Sequence, residues 1–246
     1  MLMKYQIMKK AVFLSRPNRF IAQCLLEGEE ITAHVKNTGR CRELLLPGCT
    51  VWLEHSAASG RKTSWSLIAV EKETERGRLF INMDSQAPNA AAYEAVMAGK
   101  VPFSFLPEGR APRLLKREFV FGDSRFDLYG EEGENRFLIE VKGVTLEEGG
   151  NVFFPDAPTV RGVKHLEGLC WAAGEGYRCG VLFVVQMEAN GYFAPNWKTH
   201  SDFGYALLRA REYGVELLAM CCKASAEGME ITHTIPICLE QPQLER

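Results

Sequence analysis

Three polar side chains in this sequence have the types and the spacing of a metal-dependent hydrolytic site: Asp127, Glu140 and Lys142. Glu140 and Lys142 lie in a largely apolar run over residues 136–146, and a spacing of two places both on one face of a strand. Carboxylate oxygens suit Mg²⁺ or Mn²⁺, and an adjacent ammonium can stabilise charge or transfer a proton. The set therefore favours phosphodiester hydrolysis, although an ion pair on a solvated strand face explains the same residue types.

A β-hairpin is the element that would bring Asp127 to the other two residues. Residues 125–129 have the pattern of a short strand, and residues 130–135 that of a turn before the strand that carries Glu140. Antiparallel pairing of these strands places Asp127 beside Glu140 and Lys142. Glu118, which lies in the preceding strand, is a candidate third acid of the catalytic set, and a solvated strand start is the alternative interpretation.

A second group of residues has the pattern of an anion site at the start of a helix. Thr159 can cap a helix over residues 160–173, whose first turns contain Arg161, Lys164 and His165. The amides and the dipole of such a helix terminus favour a phosphate. The alternative is that Thr159 is only a cap and that the cations lie on a solvated face. Asp156, just before this helix, could belong to the metal site or cap its own loop.

Two loops in the first third of the chain concentrate cations and amides that could bind nucleic acid. They contain six candidate contacts: Arg16, Arg19, Lys36, Asn37, Arg40 and Arg42. The alternative for the second loop is that Asn37 to Gly39 forms only a tight turn.

Composition limits the function classes. The 246 residues carry a formal net charge of −2, so nucleic-acid binding must come from local patches rather than from a basic chain. The eight cysteines include no CxxC pair, which is typical of a reduced cytosol. We find neither the apolar core of a signal peptide nor a run long enough to cross a bilayer. We expect a cytoplasmic protein without a membrane partner, and the sequence leaves its oligomeric state open.

The order of the elements predicts a β domain followed by an α/β domain. Residues 1–84 contain five or six short strand patterns separated by turn residues, which suits a small closed barrel; the oligonucleotide-binding (OB) barrel is one candidate. Residues 85–246 alternate helices and apolar strands, which is typical of a sheet with parallel pairs. The helices are predicted over residues 88–98, over residues 160–173 and from a cap at Asp202 to Gly214.

Together these segments resemble the sugar fermentation stimulation protein A family over nearly the whole chain, from about Val12 to Leu239. The matching segments are residues 19–20, 34–39, 47–52, 124–127, 139–146, 154–166 and 214–216. Residues 154–166 are the most specific of them.

The resemblance implies an N-terminal OB-like β-barrel and a C-terminal α/β domain of the PD-(D/E)xK restriction-endonuclease-like fold. It also implies DNA binding, on single or double strands, and a link to sugar metabolism. On the nuclease motif Asp127 and Glu140 match the metal acids, Lys142 the lysine and Glu118 the additional upstream acid. Phe126 stands where the motif has proline, and proline carries no chemistry.

Three functions are compatible with these residues. The first is a DNA-binding, nuclease-like phosphodiesterase that uses Mg²⁺ or Mn²⁺, and the second is a DNA-binding regulator of sugar metabolism genes that performs no chemistry. The third is an enzyme that acts on a phosphorylated metabolite.

Overall fold

The computed structural model describes residues 3–37, 39, 41–56 and 63–241, and the candidate contact Arg40 lies outside these ranges. The first part of the chain consists of strands: β1 (Met3–Lys4), β2 (Ile7–Asn18), β3 (Ile21–Leu26), β4 (Glu29–Val35), β5 (Thr50–His55), β6 (Trp65–Thr74) and β7 (Gly77–Asn82). Strands β2 to β7 form one sheet in the order β4-β3-β2-β5-β6-β7. The sheet closes because β4 also pairs in parallel with β6, and the predicted small barrel is confirmed.

The remaining chain is an α/β domain. Its elements are α1 (Ala87–Met97), β8 (Leu114–Phe121), β9 (Ser124–Glu132), β10 (Asn135–Val144), β11 (Leu146–Glu148), β12 (Asn151–Phe154), α2 (Val160–Gly174), β13 (Arg178–Val185), β14 (Phe193–Pro195), α3 (Ser201–Glu212), β15 (Glu216–Ala224) and β16 (Gly228–Ile235). The main sheet has the order β1-β16-β15-β13-β10-β9-β8, and β11, β12 and β14 form a small second sheet. Strands β10, β13 and β15 pair in parallel, as the alternation of helices and apolar strands predicted.

Helices cover both faces of the main sheet, and β10 alternates between them. Leu138 and Val144 pack into the apolar cluster that contains the buried residues of α2 and α3, whereas Ile139 and Val141 pack into the cluster that contains those of α1. Glu140 and Lys142 therefore lie on the α2 face. The expected antiparallel hairpin of β9 and β10 is present, with Leu138 opposite Tyr129.

Some local predictions need correction. Asp202 does not cap α3: the cap residue is His200, which makes no side-chain cap hydrogen bond, and Asp202 lies in the first turn. A carboxylate there still interacts favourably with the helix dipole, which explains the misplaced cap. Thr159 does cap α2, since its hydroxyl accepts the amide hydrogen of Gly162.

Ion pairs join the barrel to the segment before α1 and to the α/β domain. Lys36 lies 2.9 Å from Asp84, just before α1, and Lys72 lies 2.7 Å from Glu147 on β11. Both carboxylates are buried, so each needs its cation to offset the loss of hydration. The barrel thereby holds the start of α1, which is the helix that reaches the candidate site. No helix in the described ranges is long and apolar enough to cross a membrane.

Candidate functional site

The site lies at a fork between β9 and β10. Pairing of the two strands runs as far as Leu128 with Ile139 and ends there. At the next position the side chain of Asp127 takes the place of backbone pairing. Its Oδ2 accepts a hydrogen bond from the backbone N–H of Val141 at 2.8 Å. Its Oδ1 accepts the side-chain amide of Asn89 on α1 at 2.7 Å. Asp127 is thus fixed from both sides at the point where the sheet opens.

Glu140 lies beside Asp127 and is only 2% exposed. Its Oε1 accepts hydrogen bonds from Lys142 Nζ, at 2.6 Å, and from His165 Nδ1. Its Oε2 is buried and has no hydrogen-bond partner in the described part of the chain. A buried carboxylate oxygen without a partner is costly, and a cation is the ligand that would satisfy it.

The two carboxylates respond differently to burial. Burial, and after it the charge of Glu140, raise the pKa of Asp127 to about 6. Burial would also raise the pKa of Glu140, but the hydrogen bond from His165 and the charge of Lys142 outweigh it and hold this pKa below its ordinary value. Glu140 is therefore a fixed negative charge that opposes ionisation of Asp127, and a divalent cation between them would remove the repulsion.

His165 was predicted to face a phosphate, and the structure instead places it inside the site. It is buried on the inner face of α2, and its Nε2 lies 3.3 Å from Nε of Arg161. The guanidinium can only donate, so Nε2 accepts and the hydrogen is on Nδ1, which donates to Glu140. His165 directly precedes Leu166, which belongs to the apolar stripe of α2. This position is the sequence signal that could have indicated a buried histidine.

The other predicted catalytic residues lie in different environments. The side chain of Lys142 is 12% exposed and ion-paired to Glu140, so the structure brings it together with the acids as predicted. Glu118 is exposed and lies 3.5 Å from Arg125. The structure does not bring Glu118 together with Asp127 and Glu140. Within the described ranges no group of three or more His, Cys, Asp or Glu side chains could hold a metal, so the site offers two protein carboxylates.

Two family models match this chain. The model described as "SfsA N-terminal OB domain" matches residues 14–80, and that described as "Sugar fermentation stimulation protein RE domain" matches residues 86–228. The chain belongs to the sugar fermentation stimulation protein family.

Relatives and a solved structure agree with this family assignment. The sugar fermentation stimulation protein homolog of Desulfitobacterium hafniense (strain Y51) is 48% identical over 230 residues, which cover 93% of this chain and 95% of the relative. The homolog of Alkaliphilus oremlandii is 51% identical over 222 residues, which cover 88% and 91%. The structure described as "Pyrococcus Furiosus SfsA in complex with Ca2+" is 28% identical, has a TM-score of 0.81 and covers 96% of this chain and 98% of its own.

In this member of the family the start of α2 is exposed beside the buried site. Arg161 and Lys164 are both exposed, so their cations are available to an anion at the surface. Asp156 has a structural contact: its carboxylate fills the space that a side chain at Gly39 would need. Burial raises the pKa of Asp156. Asp156 therefore joins the loop before α2 to the barrel loop that contains Gly39.

Several predicted contacts in the barrel loops have internal partners instead. Lys36 also lies 3.4 Å from Glu54, in addition to its ion pair with Asp84. Arg16 donates to the carbonyl oxygen of Asn37 at 2.8 Å, and Asn37 closes a turn by accepting the amide hydrogen of Gly39. Lys36, Arg16 and Asn37 therefore stabilise the conformation of the loops. A charge or amide that is already paired is less available to a phosphate.

Arg19 and Arg42 are the exposed cations of these loops among the described residues. The guanidinium of Arg19 lies 4.6 Å from the ring centroid of Phe20, a half-exposed aromatic residue. An exposed guanidinium on an aromatic ring suits contact with a nucleotide.

Proposed function

We propose that this protein binds DNA and hydrolyses phosphodiester bonds with the help of Mg²⁺ or Mn²⁺. The observation that carries the proposal is the buried Oε2 of Glu140, which has no hydrogen-bond partner in the described chain, in a carboxylate whose charge helps to raise the pKa of Asp127. An apolar protein interior does not retain such an arrangement for stability, because both carboxylates lose hydration and repel each other.

The residues present fit a divalent cation. Asp127 and Glu140 would bind it, and Mg²⁺ usually keeps water molecules and takes substrate phosphate oxygens as its further ligands. The relative from Pyrococcus furiosus is described as a complex with Ca²⁺, a hard cation that also takes oxygen ligands, and this supports a divalent site in the family. When bound, such a cation lowers the pKa of a bound water and polarises the phosphoryl group.

The protein residues have separate roles in this proposal. The amide of Asn89 and the backbone of Val141 orient Asp127, and His165 orients Glu140. Lys142, whose ammonium is already held at Glu140, stabilises negative charge on the phosphate or transfers a proton to or from the attacking water. The exposed cations Arg161 and Lys164 hold the DNA backbone at the start of α2.

The test combines metal titration with a cleavage assay. Ca²⁺ binding is measured by calorimetry for the wild type, Glu140→Gln and Glu134→Gln, of which the last removes an equal charge from the exposed turn between β9 and β10. Cleavage of a supercoiled plasmid and of a labelled single strand is then followed in Mn²⁺ for the same proteins and Lys142→Ala. We expect Glu140→Gln to lose metal binding and cleavage, and Glu134→Gln to resemble the wild type. Lys142→Ala should lose cleavage but still bind Ca²⁺, with an affinity lowered about tenfold because Lys142 also holds Oε1 of Glu140.

The outcomes separate the functions. Equal residual cleavage in all four proteins would show contamination and would contradict the proposal. DNA binding without cleavage in a protein that binds Ca²⁺ through Glu140 would instead identify a DNA-binding regulator that has kept the fold. Metal-dependent hydrolysis of a sugar phosphate without DNA binding would identify an enzyme of phosphorylated metabolites.

A further inference from the structure

A groove lies between α1 and β8 on the α1 face of the sheet. It encloses about 460 Å³ and is lined by Tyr93, Glu94, Met97, Ala98 and Arg117. None of these residues belongs to the carboxylate site or to the predicted DNA contacts. The groove offers a guanidinium, an aromatic ring and apolar surface at one place.

Both walls of the groove are connected to Asp127 through neighbouring residues. On α1, Tyr93 follows Asn89 by four residues and therefore lies on the same helix face, about 6 Å further along the axis. Asn89 is the residue whose amide contacts Asp127. On the sheet, Arg117 pairs with Leu128, the neighbour of Asp127. Asn89 and Leu128 thus connect the two walls of the groove to Asp127.

Arg117 has an exposed guanidinium that is oriented by an aromatic ring and can bind an anion. Its guanidinium carbon lies 4.2 Å from the ring centroid of Tyr93, which fixes the plane of the group. Among the ion pairs of the described residues none involves Arg117, and its side chain is exposed. The nearby carboxylate of Glu94 accepts the backbone N–H of Met3 at 2.9 Å, so it is engaged with β1. A phosphate can therefore take the hydrogen-bond donors of Arg117 without displacing a protein carboxylate.

We infer that Arg117, supported by Tyr93, binds a backbone phosphate of the nucleic-acid strand whose phosphodiester is held at Asp127 and Glu140. The inference rests on the proposed function, because it needs a nucleic-acid strand at the carboxylate site. It assigns to the α1–β8 groove the role of fixing the strand in register. The contact concerns the backbone and carries no base preference.

The experiment measures binding of a fluorescein-labelled single strand and of the matching duplex by anisotropy, in Ca²⁺ and at several KCl concentrations. The proteins are the wild type, Arg117→Gln, Arg117→Lys, Tyr93→Leu and the control Arg211→Gln, which removes an exposed cation from the end of α3 on the opposite layer. We expect Arg117→Gln to weaken DNA binding about tenfold. The slope of the logarithm of the binding constant against the logarithm of the salt concentration should fall by about one, the value for one lost phosphate contact. Arg117→Lys should keep the salt slope of the wild type and lose part of the DNA affinity, since lysine retains the charge but not the planar donors. Tyr93→Leu should lose DNA affinity with an unchanged salt slope. The DNA affinity of Arg211→Gln should stay within about twofold of the wild type.

The outcomes distinguish this inference from the proposed function. If Arg117→Gln binds DNA like Arg211→Gln while the wild type cleaves DNA in Mn²⁺, the groove assignment is wrong and the function stands. If binding depends on Arg117 but no protein cleaves, the groove assignment stands and the chemistry fails. If the wild type binds neither strand at low salt, the inference is wrong. Thermal unfolding of Arg117→Lys shows whether the altered groove remains folded.

Discussion

His165 on α2 donates a hydrogen bond from Nδ1 to Oε1 of Glu140 on β10, and both side chains are buried. Arg161 fixes this tautomer from the other side of the ring. Because Lys142 binds the same oxygen, Oε1 of Glu140 is fully used and Oε2 is left for a ligand. The pair thus determines which oxygen of Glu140 a cation can use.

Removal of the imidazole should weaken metal binding without removing a ligand. We expect His165→Ala to lower Ca²⁺ affinity about tenfold, the lower range for loss of a residue that orients a ligand. The cause is that the pKa of Glu140 rises and its side chain is no longer fixed. Calorimetry at pH 8 measures the effect, and His233→Ala, at an exposed position of β16, is the control. If both variants bind Ca²⁺ with the affinity of the wild type, His165 contributes to packing and does not orient Glu140.

Asp127 should make the metal-free protein less stable at neutral pH than at acidic pH. Its pKa is raised to about 6 from an ordinary value of 3.8, so the folded state holds the proton more tightly than the unfolded state. As the pH rises from about 4 to about 6, the unfolded carboxyl ionises first and stability is lost; above that range the cost is constant. Asp127→Asn removes a cost of about 1–3 kcal/mol, at 1.36 kcal/mol per pKa unit.

Urea denaturation in EDTA at pH 4, 6 and 8 measures this difference. We expect Asp127→Asn to equal the wild type at pH 4 and to exceed it at pH 8. Saturating Ca²⁺ should reverse the order at pH 8, because only the wild type gains stability from the ligand. A gain of the same size at all three pH values would mean that ionisation of Asp127 is not its cause.

The sequence predicted those parts of the site that depend on local geometry. Asp127, Glu140 and Lys142 lie on one hairpin, so strand alternation and a short turn are enough to bring them together. Likewise, the Thr159 cap depends only on the amide of Gly162, three residues later.

The parts that the sequence did not predict depend on how distant elements pack. Asn89 reaches Asp127 across 38 residues, and His165 reaches Glu140 across 25, so both contacts require the position of a helix on the sheet. The pairing of Met3 with Met229 is even more remote, and a two-residue strand has no sequence pattern. Lys36 looked like a free loop cation because Asp84, its partner, is 48 residues away.

Lys36 should matter for stability more than for DNA binding. The side chain of Asp84 is 4% exposed, and Lys36 is its cation at 2.9 Å. Lys36→Met leaves this carboxylate buried and uncompensated, and we expect a loss of about 3 kcal/mol in the free energy of unfolding. Urea denaturation at pH 7 measures the loss, and Arg42→Gln, an exposed cation of the same loop, should lose less than about 0.5 kcal/mol. A salt slope for DNA binding that falls in Lys36→Met and not in Arg42→Gln would contradict this assignment and support a direct phosphate contact.

Glu118 has an unusual backbone that explains its position better than a role in catalysis. Its φ is +55°, in the left-handed region that disfavours a side chain. Leu115 packs on the α1 face of the sheet, and regular alternation would put Phe119 there too, but Phe119 packs on the α2 face and stacks on Tyr129. The alternation of side chains along β8 therefore changes face at Glu118, where the left-handed backbone makes the shift possible. The side chain of Glu118 points outward and lies near Arg125.

This assignment predicts that glycine can replace Glu118. We expect Glu118→Gly to bind Ca²⁺ within about twofold of the wild type, because no metal ligand is lost, and to gain up to about 1 kcal/mol in the free energy of unfolding from relief of the left-handed conformation. Glu134→Gly, in the exposed turn, is the control and should lose about 0.5 kcal/mol through the unfolded state. Calorimetry and urea denaturation measure both quantities. A tenfold loss of Ca²⁺ affinity in Glu118→Gly, with Glu134→Gly unchanged, would show that Glu118 reaches the metal when it is bound, and would restore it to the catalytic set.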